Sequence, residues 1–105
     1  MIRKLRFHYS KRALRDLAGI YNYLLEKDPA AAMHMVAAIE NKIVSLASSG
    51  NTGVSREWLS PGLRAFPFKD RCIYFRVDAG DMQIIRILHG RQEVNSKLFA
   101  PGAKD

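Results

Sequence analysis

The chain has little of several things that small proteins use to hold themselves together or to do chemistry. One cysteine, Cys72, in 105 residues excludes an intrachain disulfide. Its place in an alternating apolar run marks it as a small buried hydrophobe in a reducing compartment. No apolar stretch approaches the roughly 18 residues that span a bilayer. Met1-Ile2-Arg3-Lys4-Leu5-Arg6 has a charged start but no apolar run of signal-peptide length behind it, so a cytoplasmic protein without a membrane partner is expected. There is no Gly-rich phosphate loop before a helix, no G-x-S-x-G and no H-E-x-x-H, which sets aside the enzyme classes built on them. His8, His34, His89 and Cys72 fall on separate segments without zinc-ligand spacing, so neither metal nor cofactor is expected.

Acidic residues are also scarce. Seventeen Lys and Arg stand against ten Asp and Glu, a net charge of +7, and the excess is uneven. Residues 1–15 hold six basic side chains and no acid, residues 16–60 hold three against five, and residues 61–105 hold eight against five. A basic start and a basic final third fit an acidic partner, either nucleic acid or an acidic protein segment.

What is present is a single domain, 1–105, with ordinary hydrophobic content (48%) and a readable element order. Ile2 to Tyr9 alternates as a strand with Lys4, Arg6 and His8 on one face. Ser10 is an N-cap for a helix over Lys11 to Glu26 with Leu14, Leu17, Tyr21, Leu24 and Leu25 at helical spacing. Lys11, Arg12 and Arg15 stand in its first turn, where the helix dipole disfavours cations. Asp28-Pro29 restarts a second helix running to about Ala47, with Met33, Val36, Ile39, Ile43 and Leu46 inward, so the two helices form an antiparallel hairpin. Ser48 to Gly62 is an irregular stretch that Trp58 and Leu59 are expected to pin to the domain. Leu63 to Phe68, Cys72 to Asp78 and Met82 to Leu88 then read as a three-stranded antiparallel meander with turns at Lys69-Asp70 and Ala79-Gly80. Glu93 to Phe99 reads as a short helical turn, and 100–105 as a frayed tail. The predicted class is α+β, the helical hairpin covering one face of a mostly antiparallel sheet.

The meander is apolar on both faces. Ile73, Phe75, Val77, Ile85 and Ile87 form the expected core face toward the helices. The opposite face, with Tyr74, Arg76, Ile84, Arg86 and Leu88, is too apolar for water and too charged for burial without partners, and no remaining element looks large enough to cover it. That makes it a candidate contact surface. Arg76, Arg86, Arg91 and Lys97 could also serve as phosphate-holding cations, with His89 or Tyr74 as proton carriers, in cleavage of RNA through its 2′-hydroxyl. On the residues alone a binding protein ranks above a nuclease.

Ala13-Leu14-Arg15-Asp16-Leu17 with Ile20-Tyr21 and Tyr23-Leu24, then Leu63-Arg64, Cys72-Ile73-Tyr74-Phe75-Arg76-Val77 and Ile84-Ile85-Arg86-Ile87-Leu88-His89-Gly90-Arg91-Gln92, resemble the ParE group of the RelE/ParE toxin superfamily. The resemblance covers nearly the whole chain. It implies the toxin of a type II toxin–antitoxin pair, silenced by a ParD-like antitoxin in a heterotetramer or larger assembly, with DNA gyrase as target. The RelE branch of the superfamily instead cuts messenger RNA on the ribosome, and a plain nucleic-acid-binding module is a third reading. RelE-type nucleases carry a basic residue after the glycine that ends the last strand and a tyrosine several positions later. Here Arg91 could fill a cationic role, but Gln92 carries no charge, Leu98 and Phe99 have no phenol, and no tyrosine follows Tyr74, so no catalytic residue is assigned. The expected antitoxin contacts are Tyr74, Arg76, Ile84, Arg86 and Leu88. The expected target contacts are Arg64, His89, Arg91 and Lys97.

Overall fold

A computed structural model of the chain describes residues 4–100. The start of the strand expected from Ile2, and the frayed tail beyond Ala100, fall outside the described residues. The order is β1 (Arg6–Tyr9), α1 (Lys11–Leu25), α2 (Pro29–Ser49), β2 (Val54–Ser55), β3 (Arg64–Phe68), β4 (Arg71–Asp78), β5 (Asp81–His89) and a 3₁₀ turn (Ser96–Phe99). The five strands lie in the order β1-β5-β4-β3-β2, with β1 parallel to β5 and every other pair antiparallel. The α+β class, the helical hairpin and the meander are as the sequence predicts.

Local chemistry explains the boundaries. Ser10 caps α1, its Oγ accepting from the Ala13 N–H at 3.0 Å and donating to the Ile85 carbonyl at 2.8 Å, so one hydroxyl starts the helix and ties it to β5. Asp28 caps α2 by accepting from the Ala30 and Ala31 N–H groups, and Pro29 takes the first helical position. Gly50, at φ 68°, ends α2 in the left-handed conformation. Ala79 (φ 49°) and Gly80 (φ 86°) both take positive φ in the β4–β5 turn, the pattern a two-residue turn needs to match strand twist.

The helix-facing core contains Ala13, Leu17 and Ile20 of α1, Ile39, Ile43 and Leu46 of α2, and Ile73, Phe75, Met82, Ile84 and Ile87 of the sheet. The inward stripes are displaced from those expected. Ala13 and Ala32 are fully buried, whereas Leu14 is 51% and Met33 66% exposed. Small alanines at the contact let the helices approach closely and turn the neighbouring long side chains outward. Trp58 does not pin its loop: it is 73% exposed, and the buried Leu59 does that work alone.

The largest departure from simple alternation is a bulge. Tyr74 pairs with Arg86 while Phe75 pairs with Ile84, so Ile85 is an extra residue and the inward parity of β5 flips beyond it. Met82 and Ile84 therefore face the helices with Ile87, and Ile85 turns to the other side with Leu88. This corrects two assignments: Ile84 is fully buried under the helices rather than on the contact face, and Ile85 is not in the helix-facing core.

The other sheet face is not bare. Leu59, Leu63, Ala65, Tyr74, Ile85, Leu88 and Phe99 form a second core, with Cys72, Val94 and Leu98 packed at its margin. Its cover comes from the 50–62 loop and the 3₁₀ turn, which together suffice because Phe99 inserts its ring against Tyr74 with centroids 4.7 Å apart. At Gly53 (φ 60°) a side chain would collide with the Ala65 carbonyl, so only glycine lets this loop close on β3.

Candidate functional site

The five residues expected to face a partner are all engaged within the chain. Tyr74 and Leu88 are 7% and 4% exposed in the second core, and Ile84 lies in the first. Arg76 is a staple: its Nε donates to the Pro61 carbonyl at 3.1 Å, and one Nη2 donates to Ser60 Oγ at 2.6 Å and to the Phe99 carbonyl at 3.1 Å. Arg86 forms a two-pronged pair with Asp16 of α1, Nε to Oδ2 at 2.8 Å and Nη2 to Oδ1 at 2.9 Å, with both side chains largely buried. Asp16 Oδ2 also accepts from the Ile87 N–H at 2.9 Å. The reason lies in the sheet: β1 follows β5 only as far as Ile84, so beyond it Ser10 and Asp16 satisfy the polar edge that no strand covers. Asp16 is the structural residue that reading by elements missed, since nothing in its spacing shows that it meets a strand seventy residues on.

Of the residues expected to meet a target, Arg64 turns back on its own loop, donating to the Thr52 and Gly53 carbonyls. Lys97 is exposed on the 3₁₀ turn. His89 and Arg91, by contrast, stand together where β5 ends beside the β3–β4 turn. Gly90 N–H donates to the Asp70 carbonyl at 2.8 Å, fixing these two chain segments to each other. The Arg91 N–H donates to His89 Nδ1 at 3.1 Å, which leaves the ring proton on Nε2, 3.7 Å from Asp70 Oδ2.

Two clefts flank this corner and share Asp70, Arg71 and His89. The larger, about 530 Å³, runs along α1 past Arg15, Asp16, Tyr23 and Arg86 to Gln92. The smaller, about 340 Å³, is lined by Arg56, Lys69, Arg71 and Arg91, with Cys72 and Tyr74 in its wall and Asp70 as its only acid. Lys69 was read from sequence only as a turn residue, and Arg71 was not singled out. The register places Arg71 opposite His89, so counting back along the β4–β5 hairpin would have found that neighbour. Arg56 comes from the irregular loop, and no periodicity announces it.

Burial raises the Cys72 thiol pKa above its ordinary value, partly offset by a hydrogen bond with Tyr74 and by the Arg56 charge. Burial also pushes the Tyr74 phenol up to about 12. A folded-state value above the unfolded 10.0 contributes stability that is complete below pH 10 and is lost as pH rises through 12. In an ultraviolet titration of the four tyrosines, Tyr74 is therefore expected to ionise last, and Tyr74→Phe to remove that late step. Ionisation of all tyrosines near pH 10 would show that the second core is open to solvent.

No curated protein matches the chain. Among solved structures it is similar to a chain of the chromosomal ParDE TA system from P. aeruginosa, at 26% identity and a TM-score of 0.70, over 81% of this chain and 95% of that one. Both the two-helix cover and the five-strand mixed sheet are consistent with that fold. The family described as ParE toxin of type II toxin-antitoxin system, parDE, matches residues 7–94, from β1 through the end of β5 and the turn after it, and the chain belongs to that toxin family.

Proposed function

We propose that this toxin acts by binding and inhibiting DNA gyrase and is neutralised by an antitoxin of the ParD kind. The observation that carries the reading is the match to the ParE toxin family across residues 7–94, which embraces the buried residues of the helix-facing core, those of the second core except Phe99, and the β5 terminus. The composition of the C-terminal segment supports binding over cleavage: where a proton-carrying phenol would be needed, Phe99 is committed to the second core at 1% exposure.

With the second sheet face closed by its own chain, the antitoxin's place is the outer surface of the helical hairpin. Tyr23 and Leu25 at the end of α1 are 59% and 38% exposed, and Met33 at the start of α2 is 66% exposed, which leaves apolar area where the helices turn. Lys11 and Arg15 on the exposed side of α1 offer charge partners for an acidic amphipathic segment. The carboxylate-binding role expected of Arg76 and Arg86 is filled by Asp16 and by backbone carbonyls.

One observation favours ribonuclease as the second reading: Tyr74, His89, Arg71 and Arg91 line a single cleft. A phenol held near 12 is a poor proton donor at neutral pH, which weighs against it. A DNA supercoiling assay run beside a translation assay with mapping of messenger RNA ends separates the two. Loss of supercoiling with intact messenger RNA is expected. Blocked translation with cut messenger RNA and normal supercoiling would replace the gyrase reading.

A further inference from the structure

Trp58 is the one tryptophan of the chain, and the fold leaves its ring 73% exposed. The turn that carries it is not loose. The Arg56 N–H donates to the Leu63 carbonyl at 2.8 Å, the Leu59 N–H to the Arg56 carbonyl at 2.8 Å, and the Leu63 N–H to the Ser60 carbonyl at 3.0 Å. Side chains close it further: Glu57 accepts from the Gly62 N–H at 3.0 Å, and Arg76 donates to the Pro61 carbonyl at 3.1 Å and to Ser60 Oγ at 2.6 Å. Leu59 and Ser60, the next two residues, are each 5% exposed. A core is therefore within reach of this turn, which sends Leu59 into it and holds the larger ring out. A lone surface leucine needs no explanation. A large aromatic on a backbone fixed from both sides does, because its burial within the chain would gain more than that of any neighbour.

We infer that Trp58 is the anchor by which the toxin grips its protein target, filling an apolar pocket with an acidic rim. This anchor role rests on the reading above, that the toxin acts by occupying a target protein. Tryptophan is enriched among the residues that dominate interface energies, and an anchor already ordered in the free protein loses little freedom on docking. Apolar area continues beside it: Val54 is 47% exposed on β2, an edge strand paired only with β3. The charge around the anchor sets the partner's chemistry. Arg56, Arg64 and Arg76 bond there to carbonyls and to the Ser60 hydroxyl, which fix their geometry without cancelling their charge. Glu57 is the one carboxylate in the sequence between Glu40 and Asp70. Such a positive surround repels a second copy of this basic chain and favours carboxylates about the pocket. The surface is also remote from the helical hairpin on which the antitoxin is placed above. The hairpin's backbone comes closest to β5 and β1, whereas the Trp58 turn runs between β2 and β3 at the opposite edge of the sheet.

The test compares the full-length Trp58→Ala variant with the wild-type chain, purified and in cells. Because the ring is exposed, the variant is expected to keep its urea midpoint, the late ionisation of Tyr74 and, within about twofold, its calorimetric affinity for a ParD-kind antitoxin. Its inhibition of supercoiling and its arrest of growth on induced expression are expected to need at least about tenfold more toxin. Arg56→Glu, which sets a carboxylate against the acidic rim, is expected to weaken both in the same direction. Should the wild type arrest growth without touching supercoiling, and Trp58→Ala lose that arrest, the anchor stands and gyrase is rejected as the target. Four results overturn the inference. They are Trp58→Ala as potent as the wild type in cells, a loss of potency matched by an equal loss of antitoxin affinity or of stability, and Arg56→Glu as potent as the wild type. The fourth is a concentration-dependent dimer of the free toxin that Trp58→Ala abolishes, which would give the ring to a second copy.

Discussion

Replacing Phe99 with alanine is expected to destabilise the fold by about 3–5 kcal/mol, seen as a lower urea midpoint. The ring is 1% exposed and is, with Tyr74, one of the two aromatic side chains in the second core. It closes over Tyr74, Leu88 and Ile85, which no regular element covers on that side. Arginines tie the backbone around it to the rest of the fold: the Phe99 carbonyl accepts from Arg76, and the Leu98 carbonyl accepts from Arg12 at 3.3 Å and Arg86 at 3.5 Å. Those bonds position the segment, but the ring supplies the apolar burial, so without it the segment detaches and the sheet face is wetted. A second signature distinguishes this from a generic cavity. The late tyrosine ionisation near 12 should fall back toward 10 in Phe99→Ala, because burial is the main cause of the elevation at Tyr74. A stability loss below about 1 kcal/mol, with the tyrosine titration unchanged, would mean that the segment does not cover that face.

Asp16→Ala is expected to cost a similar amount, about 3–5 kcal/mol, although only one small side chain is removed. The change strands two groups at once: the Arg86 guanidinium, only 17% exposed, loses both carboxylate oxygens, and the Ile87 N–H loses its acceptor beyond the end of β1. Asp16→Ala with Arg86→Met should recover part of the loss, since the uncompensated charge disappears with its partner. The recovery should be incomplete because the Ile87 N–H stays unpaired. Strict additivity of the two single changes in a double-mutant cycle would contradict a direct pair.

Much of the architecture was legible in the chain because it rests on local chemistry. Ser10 and Asp28-Pro29 announce helix starts through the unsatisfied N–H groups they serve, and Ala79-Gly80 announces a turn through its backbone conformation. The bulge at Ile85 was not legible, because alternation of apolar residues reads the same whether or not one residue is skipped, and every residue from Ile84 to Leu88 except Arg86 is apolar. That single residue moved Ile84 from the expected contact surface into the helix-facing core. The covered second face escaped for another reason. A loop and a four-residue turn carry no periodicity, yet they bury one side of a sheet when a Leu59 and a Phe99 stand at the right places.

The candidate site was half visible. His89 and Arg91 stood out at the end of a strand, but Arg56, Lys69 and Arg71 reach the same cleft from a loop and a hairpin turn, a convergence only the folded chain reveals. The arginines that looked most like partner contacts, Arg76 and Arg86, hold the second face shut instead. Arginine set into an apolar strand signals a partner, and here the partners are Asp16 and the carbonyls of the chain's own C-terminal segment.

We propose that this ParE-family toxin disables its target by occupancy and not by turnover. Titrating purified toxin into a fixed amount of DNA gyrase and following supercoiling tests it most directly. Inhibition is expected to rise with the toxin-to-gyrase ratio, to level off once the enzyme is saturated, and to reverse when a ParD-kind antitoxin is added. Full supercoiling at saturating toxin, or complete inactivation by a small fraction of toxin that antitoxin cannot reverse, would contradict it.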